Sequence, residues 1–195
     1  MNWMKKVAVA LVCLLPLGLQ AAKVDTLQVK SPSMNKSIEV VVVSPDVAAT
    51  KACPVIYLLH GYGGNARTWV GIKPDLSKIA DEKGIFFVCP DGKNTWYWDS
   101  PLNADVRYET FISDELVKYV DSHYKTVADR KGRAITGLSM GGHGAMWNGL
   151  RHSDVFSAAG STSGGVDIRP FPKNWEMSVQ IGEKAQYPEN WEKYT

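Results

Sequence analysis

Val55-Ile56-Tyr57-Leu58-Leu59 and Ile85-Phe86-Phe87-Val88-Cys89 are unbroken apolar runs, and they constrain the fold more than any other feature. A strand with one wet face alternates apolar and polar residues. A run that is apolar at every position is buried on both faces, as in a parallel sheet covered by helices. Each run stops at turn-forming residues, His60-Gly61-Tyr62-Gly63-Gly64 after the first and Pro90-Asp91-Gly92 after the second.

Helical spacing fills the intervals. Pro74 to Lys83 carries Leu76, Ile79 and Ala80 on one side, with proline near its start and Gly84 after its end. Glu109 to His123 is amphipathic through Phe111, Ile112, Leu116 and Tyr119 or Val120. Arg133 to Gly137 reads as a strand, Met140 to His152 as a glycine-rich helix, and Phe156 to Gly160 as another strand. Upstream, Val24 to Lys30 and the β-branched stretch Ser37 to Ser44 flank a Ser31-Pro32-Ser33-Met34-Asn35 turn, which predicts an antiparallel pair. The alternation specifies an α/β fold, a mainly parallel sheet with helices on both faces. Beyond Gly165 only a short helix near Pro188 to Tyr194 is predicted.

The chain has 195 residues, 22 Lys and Arg against 20 Asp and Glu, and 45% hydrophobic residues. That suits one globular domain and excludes disordered and coiled-coil classes. At the N-terminus, Lys5 and Lys6 precede an apolar stretch, Val7 to Leu19, and Gln20-Ala21-Ala22 supplies small residues for cleavage. This is the pattern of a secretory signal peptide over residues 1–22, cleaved after Ala21 or Ala22, and it is too short for a membrane anchor. The expectation is a secreted or periplasmic protein with a single domain over residues 23–195. Removal of the signal leaves no net charge, which excludes nucleic acid as a partner selected by bulk charge.

Cys53 and Cys89 lack metal-ligand or C-x-x-C spacing. Placed near opposite ends of parallel strands, they are expected to be free thiols. No H-E-x-x-H, Walker or dinucleotide motif occurs, so neither metal nor cofactor is predicted.

Gly137-Leu138-Ser139-Met140-Gly141 matches G-x-S-x-G, lying between a predicted strand and a predicted helix. In that setting a serine sits on a tight turn with its hydroxyl exposed at the carboxyl edge of the sheet. His60-Gly61-Tyr62-Gly63-Gly64 ends an earlier strand, where the second half of an oxyanion hole is built. The candidate nucleophile is Ser139, with the backbone N–H groups of Tyr62 and Met140 as candidate oxyanion donors. Trp96-Tyr97-Trp98 follows a strand's carboxyl end and is read as lining an acyl or sugar pocket, with packing under a long loop as the alternative. Trp175, Tyr187, Trp191 and Tyr194 are read as lid or packing residues.

With these motifs in place, the chain resembles the putative-esterase family of α/β hydrolases. That family includes feruloyl and acetylxylan esterases, S-formylglutathione hydrolases and mycolyltransferases. The resemblance rests on Val55 to Gly64, Cys89 to Gly92, Asn94 to Pro101, Tyr108 to Asp121 and Ile135 to Ala145. It implies an α/β-hydrolase fold and a serine carboxylesterase acting through an acyl-enzyme on Ser139. The expected substrates are short-chain acyl or carbohydrate-linked (acetyl or feruloyl) esters.

A triad base and acid are harder to find. In this fold the order along the chain is Ser, then Asp or Glu, then His. The downstream histidines, His143 and His152, lie on the helix after the elbow, where local packing and dipole compensation are their expected roles. No strand presents a downstream acid convincingly, although Asp167 follows the strand after the elbow helix, a position some hydrolases use. The family carries its acid and histidine after two further strands, so the resemblance implies that both lie beyond residue 195 and that the C-terminal strands are missing here. An acyltransferase of the same fold, or an inactive or purely binding scaffold, stays open as an alternative.

Overall fold

A computed structural model describes residues 22–195. The predicted signal peptide thus lies, but for Ala22, outside the described residues. Among them no helix is long and apolar enough to cross a membrane.

Six strands form one sheet in the order β1-β2-β4-β3-β5-β6. The strands are β1 (Lys23–Ser31), β2 (Lys36–Ser44), β3 (Val55–Leu59), β4 (Phe86–Pro90), β5 (Arg133–Gly137) and β6 (Ala158–Ala159). The β1–β2 and β2–β4 pairs are antiparallel, and the β4–β3, β3–β5 and β5–β6 pairs are parallel. The β1–β2 turn places Asn35 in the left-handed region, φ 47°, which asparagine tolerates well.

The apolar runs are two-sided, as their composition requires. Val55, Tyr57 and Leu59 join Val40, Val42, Phe86 and Val88 in the larger core, while Leu58, Val41, Val43, Phe87 and Cys89 face the smaller one. The smaller core is closed by α2 (Leu76–Lys83) through Leu76 and Ala80, with α1 (Thr68–Ile72) beside it. Gly84 caps α2 at φ 63°. The larger core is covered by α4 (Leu116–His123), α5 (Met140–Arg151), α6 (Met177–Ile181) and α7 (Pro188–Lys193).

Three local readings change. The amphipathic helix begins one residue earlier, as α3 (Tyr108–Thr110), and passes through a π-helical turn (Phe111–Glu115) before α4. Within that turn the Ser113 hydroxyl donates to the Glu109 carbonyl (2.7 Å), a side-chain bond that competes with the backbone ladder. The strand expected over Phe156 to Gly160 shrinks to the two residues of β6, which pair with Ala134 and Ile135. Beyond them the ladder persists only as the bridge from Leu138 to Thr162. Both residues of β6 are exposed at the sheet edge, and Leu150 and Val166 are exposed as well. Finally, α1 and α6 lack enough turns for a periodic signal, so sequence alone does not show them.

Candidate active site

Register places the site. Leu59 pairs with Gly137, so the loops leaving β3 and β5 emerge side by side at the carboxyl edge. The chain reverses at once into α5, and Ser139 takes φ 55° and ψ −117°, which no ordinary L-residue favours. A Cβ on Gly137 would overlap the Gly141 carbonyl, and a Cβ on Gly141 would overlap that of Leu59, both closer than 3.0 Å. The motif's glycines are therefore dictated by the crossing of β3, β5 and α5. Ser139 is exposed, and its N–H donates to the Thr162 carbonyl (2.8 Å).

The β3 loop abuts this elbow. A Cβ built on Gly61 would lie 3.5 Å from the Ser139 Cβ. His60 is buried beneath the loop: its Nδ1 donates to the Gly61 carbonyl (2.7 Å), while Nε2 accepts from the Gly92 N–H (2.9 Å). The Tyr62 amide has no acceptor among the described residues, and the Met140 amide opens α5, where a helix has no internal acceptor to offer. Tyr62 and Ser139 line one cavity of about 190 Å³.

Trp96, Phe171, Trp175 and Met177 form the apolar wall of that cavity, and Asp167 stands at its edge. Of the aromatic trio assigned to a pocket, only Trp96 lines it. Tyr97 and Trp98 are wholly buried and belong to the core. The Tyr97 ring fills space that a Cβ on Gly92 or Gly144 would occupy, and its hydroxyl donates to the His60 carbonyl (3.1 Å). Trp98 donates from Nε1 to His143 Nε2 (2.9 Å). The packing alternative therefore describes these two residues. Trp175 is exposed on the cavity, whereas Trp191 and Tyr194 are buried packing residues. Sequence reasoning missed Ser163, Phe171 and Met177 as lining residues. The available signal was their place after the strand that follows the elbow, at the edge where α/β proteins bind ligands.

Backbone strain gathers here. Trp96, Tyr97, Ser139, Ser163, Trp175 and Glu176 all have φ between 51° and 60°. Such residues cost about 1–3 kcal/mol each and cluster where function requires them.

All four histidines have partners other than Ser139. His143 Nδ1 donates to the Gly165 carbonyl (2.6 Å), and burial lowers its pKa to about 4, against the opposing effect of that bond. His152 pairs with Glu109 (2.9 Å), whose second oxygen accepts from Trp147 (2.8 Å). His123 is held by the Tyr119 carbonyl (2.8 Å), and His60 is buried under the glycine loop after β3. Asp167 is bound by Arg169 Nε (2.9 Å). Among the described residues no group of three or more His, Cys, Asp or Glu could hold a metal.

Comparison with known proteins gives the family and the fold. The family model described as Putative esterase matches residues 31–194. The chain belongs to that family. Among the putative esterases and their relatives, an esterase of Mycobacterium tuberculosis is 31% identical over 149 residues, covering 73% of this chain and 32% of that protein. An endo-1,4-beta-xylanase/feruloyl esterase of Xylanibacter ruminicola is 34% identical over 123 residues, covering 58% of this chain and 17% of that protein. A solved ferulic acid esterase superposes with a TM-score of 0.70 at 31% identity, covering 90% of this chain and 71% of that one. These likenesses give the chain the α/β-hydrolase fold. The chain spans about half or less of the length of the curated relatives it matches.

Proposed function

We propose that this member of the putative-esterase family is an exported serine carboxylesterase with Ser139 as its nucleophile. One observation carries the reading: Ser139 is exposed on a strained elbow, in one small cavity with Tyr62 of the glycine loop. In the proposed reaction a base removes the Ser139 proton as Oγ adds to the ester carbonyl carbon. The carbonyl oxygen becomes an oxyanion held by the Tyr62 and Met140 N–H groups, donors worth about 3–4 kcal/mol each in such sites. Collapse of this intermediate expels the alcohol, which takes up the proton, and leaves an acyl-enzyme that water then cleaves.

Since each of the four histidines is engaged elsewhere, the proposal takes its base from none of them. The cavity, about 190 Å³, is smaller than the ~300 Å³ lower bound of drug-sized pockets, which favours short acyl groups or a single aromatic ring. Its wall of Trp96, Phe171 and Trp175 suits either. The Lys5-Lys6 segment and the apolar stretch after it support export.

The test is hydrolysis of p-nitrophenyl acetate, p-nitrophenyl butyrate and methyl ferulate by the natural full-length protein and its Ser139→Ala variant. Turnover by the first and none by the second is expected. Undiminished turnover by the variant overturns the assignment. Acyl-sugar formation with an added sugar acceptor, faster than hydrolysis, converts the reading to acyltransferase. N-terminal sequencing of the exported protein, expected to begin at Ala22 or Lys23, tests secretion.

A further inference from the structure

Tyr62 sits on a loop with little side chain to hold it, since its neighbours are Gly61, Gly63 and Gly64. Something else must fix its amide. The next amide along, Gly63 N–H, donates to Asn94 Oδ1 (2.9 Å), a side chain from the loop after β4. The other end of the same Asn94 amide, Nδ2, donates to Glu176 Oε2 (3.3 Å) on the segment leading into α6. A side-chain amide can face either way, and only one orientation turns its oxygen toward an N–H. The Glu176 carboxylate, which only accepts, selects that orientation.

Glu176 is itself held. It lies in the left-handed region, φ 54°, directly after Trp175 at φ 51°. The Trp175 carbonyl accepts from Trp96 Nε1 (3.1 Å), and Met177 and Ile181 of α6 are buried in the main core. Burial first, and then the neighbouring Glu176 carboxylate, raise the pKa of the Tyr62 phenol. Two loops distant in sequence thus meet the glycine loop at adjacent residues.

Resting on the esterase reading above, we propose that Asn94, oriented by Glu176, is a positioning residue that sets the oxyanion loop. Neither side chain touches the reacting atoms in this role. They hold Gly63, and through it the neighbouring Tyr62 amide, where charge develops on the carbonyl oxygen. Such an interaction acts on the transition state more than on bound substrate, so its loss lowers kcat while leaving KM nearly unchanged.

The experiment uses the natural full-length protein with p-nitrophenyl acetate, together with hydrogen–deuterium exchange of the peptide spanning residues 60–65. Asn94→Ala and Asn94→Asp are expected to lower kcat by about 5- to 50-fold, less than the 10²–10³-fold loss of a whole donor. KM should stay within about twofold, and exchange at Gly63 should quicken. Asn94→Asp sets two carboxylates against each other. The pair Asn94→Asp with Glu176→Gln rebuilds the bridge with the central donor reversed, and should restore kcat to within about threefold of the parent.

A general packing role predicts no such rescue. The proposal is overturned if the double variant is no better than Asn94→Asp alone, or if Asn94→Ala keeps parental kcat and parental exchange. Glu176→Ala, on an exposed residue, serves where Asn94→Ala does not fold, and should quicken the same exchange; unchanged exchange there also overturns the proposal. Ser139→Ala separates the two claims. Undiminished ester turnover in that variant removes Ser139 as the nucleophile, while exchange at Gly63 still decides whether Asn94 and Glu176 hold the loop.

Discussion

Gly141 packs so tightly against the Leu59 carbonyl that a single methyl group would overlap it at less than 3.0 Å. This contact locks the first turn of α5 to the end of β3, and thereby sets the serine elbow against the glycine loop. Gly141→Ala is expected to destabilise the protein by about 1–3 kcal/mol, the usual cost of overpacking, because the obstacle is backbone. Urea unfolding measures this. Ester turnover should fall at least tenfold as the elbow shifts. A variant with the parental urea midpoint and parental turnover would show that the crossing yields easily.

The strain at Ser139 leads to a separation of stability from activity. Both Ser139→Ala and Ser139→Gly should lower ester turnover by about 10⁴-fold or more. Only glycine adopts φ 55° and ψ −117° without a Cβ collision. Ser139→Gly is therefore expected to be more stable than Ser139→Ala by about 0.5–2 kcal/mol. Equal stability of the two variants by denaturant titration would argue against strain at the elbow.

Burial of His143 makes stability depend on acid. Its pKa falls from an ordinary value near 6.5 to about 4 in the fold, first because it is buried. Between those values the unfolded chain binds the extra proton. The contribution is thus fully present above about pH 6.5 and is lost as pH falls toward 4. Between pH 7 and 4.5 the expected loss is about 2–3 kcal/mol from this residue. Glu109 is buried, yet Arg151, Trp147 and His152 hold its carboxyl below its ordinary value near 4.5, so it adds a loss of the same sign only as pH falls below about 4.5. Urea titrations at several pH values should show a flatter profile for His143→Gln than for the parent. Identical slopes would contradict the assignment of a buried neutral imidazole.

The cysteines should be unreactive. Cys89 lies three residues beyond Phe86, the partner of Val55, while Cys53 lies two before Val55. At about 3.3 Å per residue they stand roughly 16 Å apart along the strands, beyond disulfide range. Both are free and buried. Burial raises the Cys53 thiol pKa and pushes that of Cys89 up to about 12. A thiol reagent at pH 8 should label neither in the folded chain and both after denaturation, once residues 1–22 are removed. Rapid labelling of the native protein would refute the burial.

Local pattern by itself determined the sheet, the helices longer than two turns, and the elbow. Unbroken apolar runs have only one comfortable environment, and Gly137-Leu138-Ser139-Met140-Gly141 between a strand and a helix marks a tight, strained turn. These are properties of neighbouring residues, so adjacency in sequence carries them. What Trp96, Tyr97 and Trp98 do was decided in three dimensions. Three successive aromatics look alike in sequence, yet glycines at 92 and 144 make room for one ring, His143 accepts from the second, and the third is left to face Ser139. The strand after α5 is likewise cut to two residues, because its ladder to β5 reaches only Ala134 and Ile135. Asn94 and Glu176 carry no local signature, and 82 residues separate them. Their meeting depends on where β4 and α6 deliver their loops, which only the packed sheet determines.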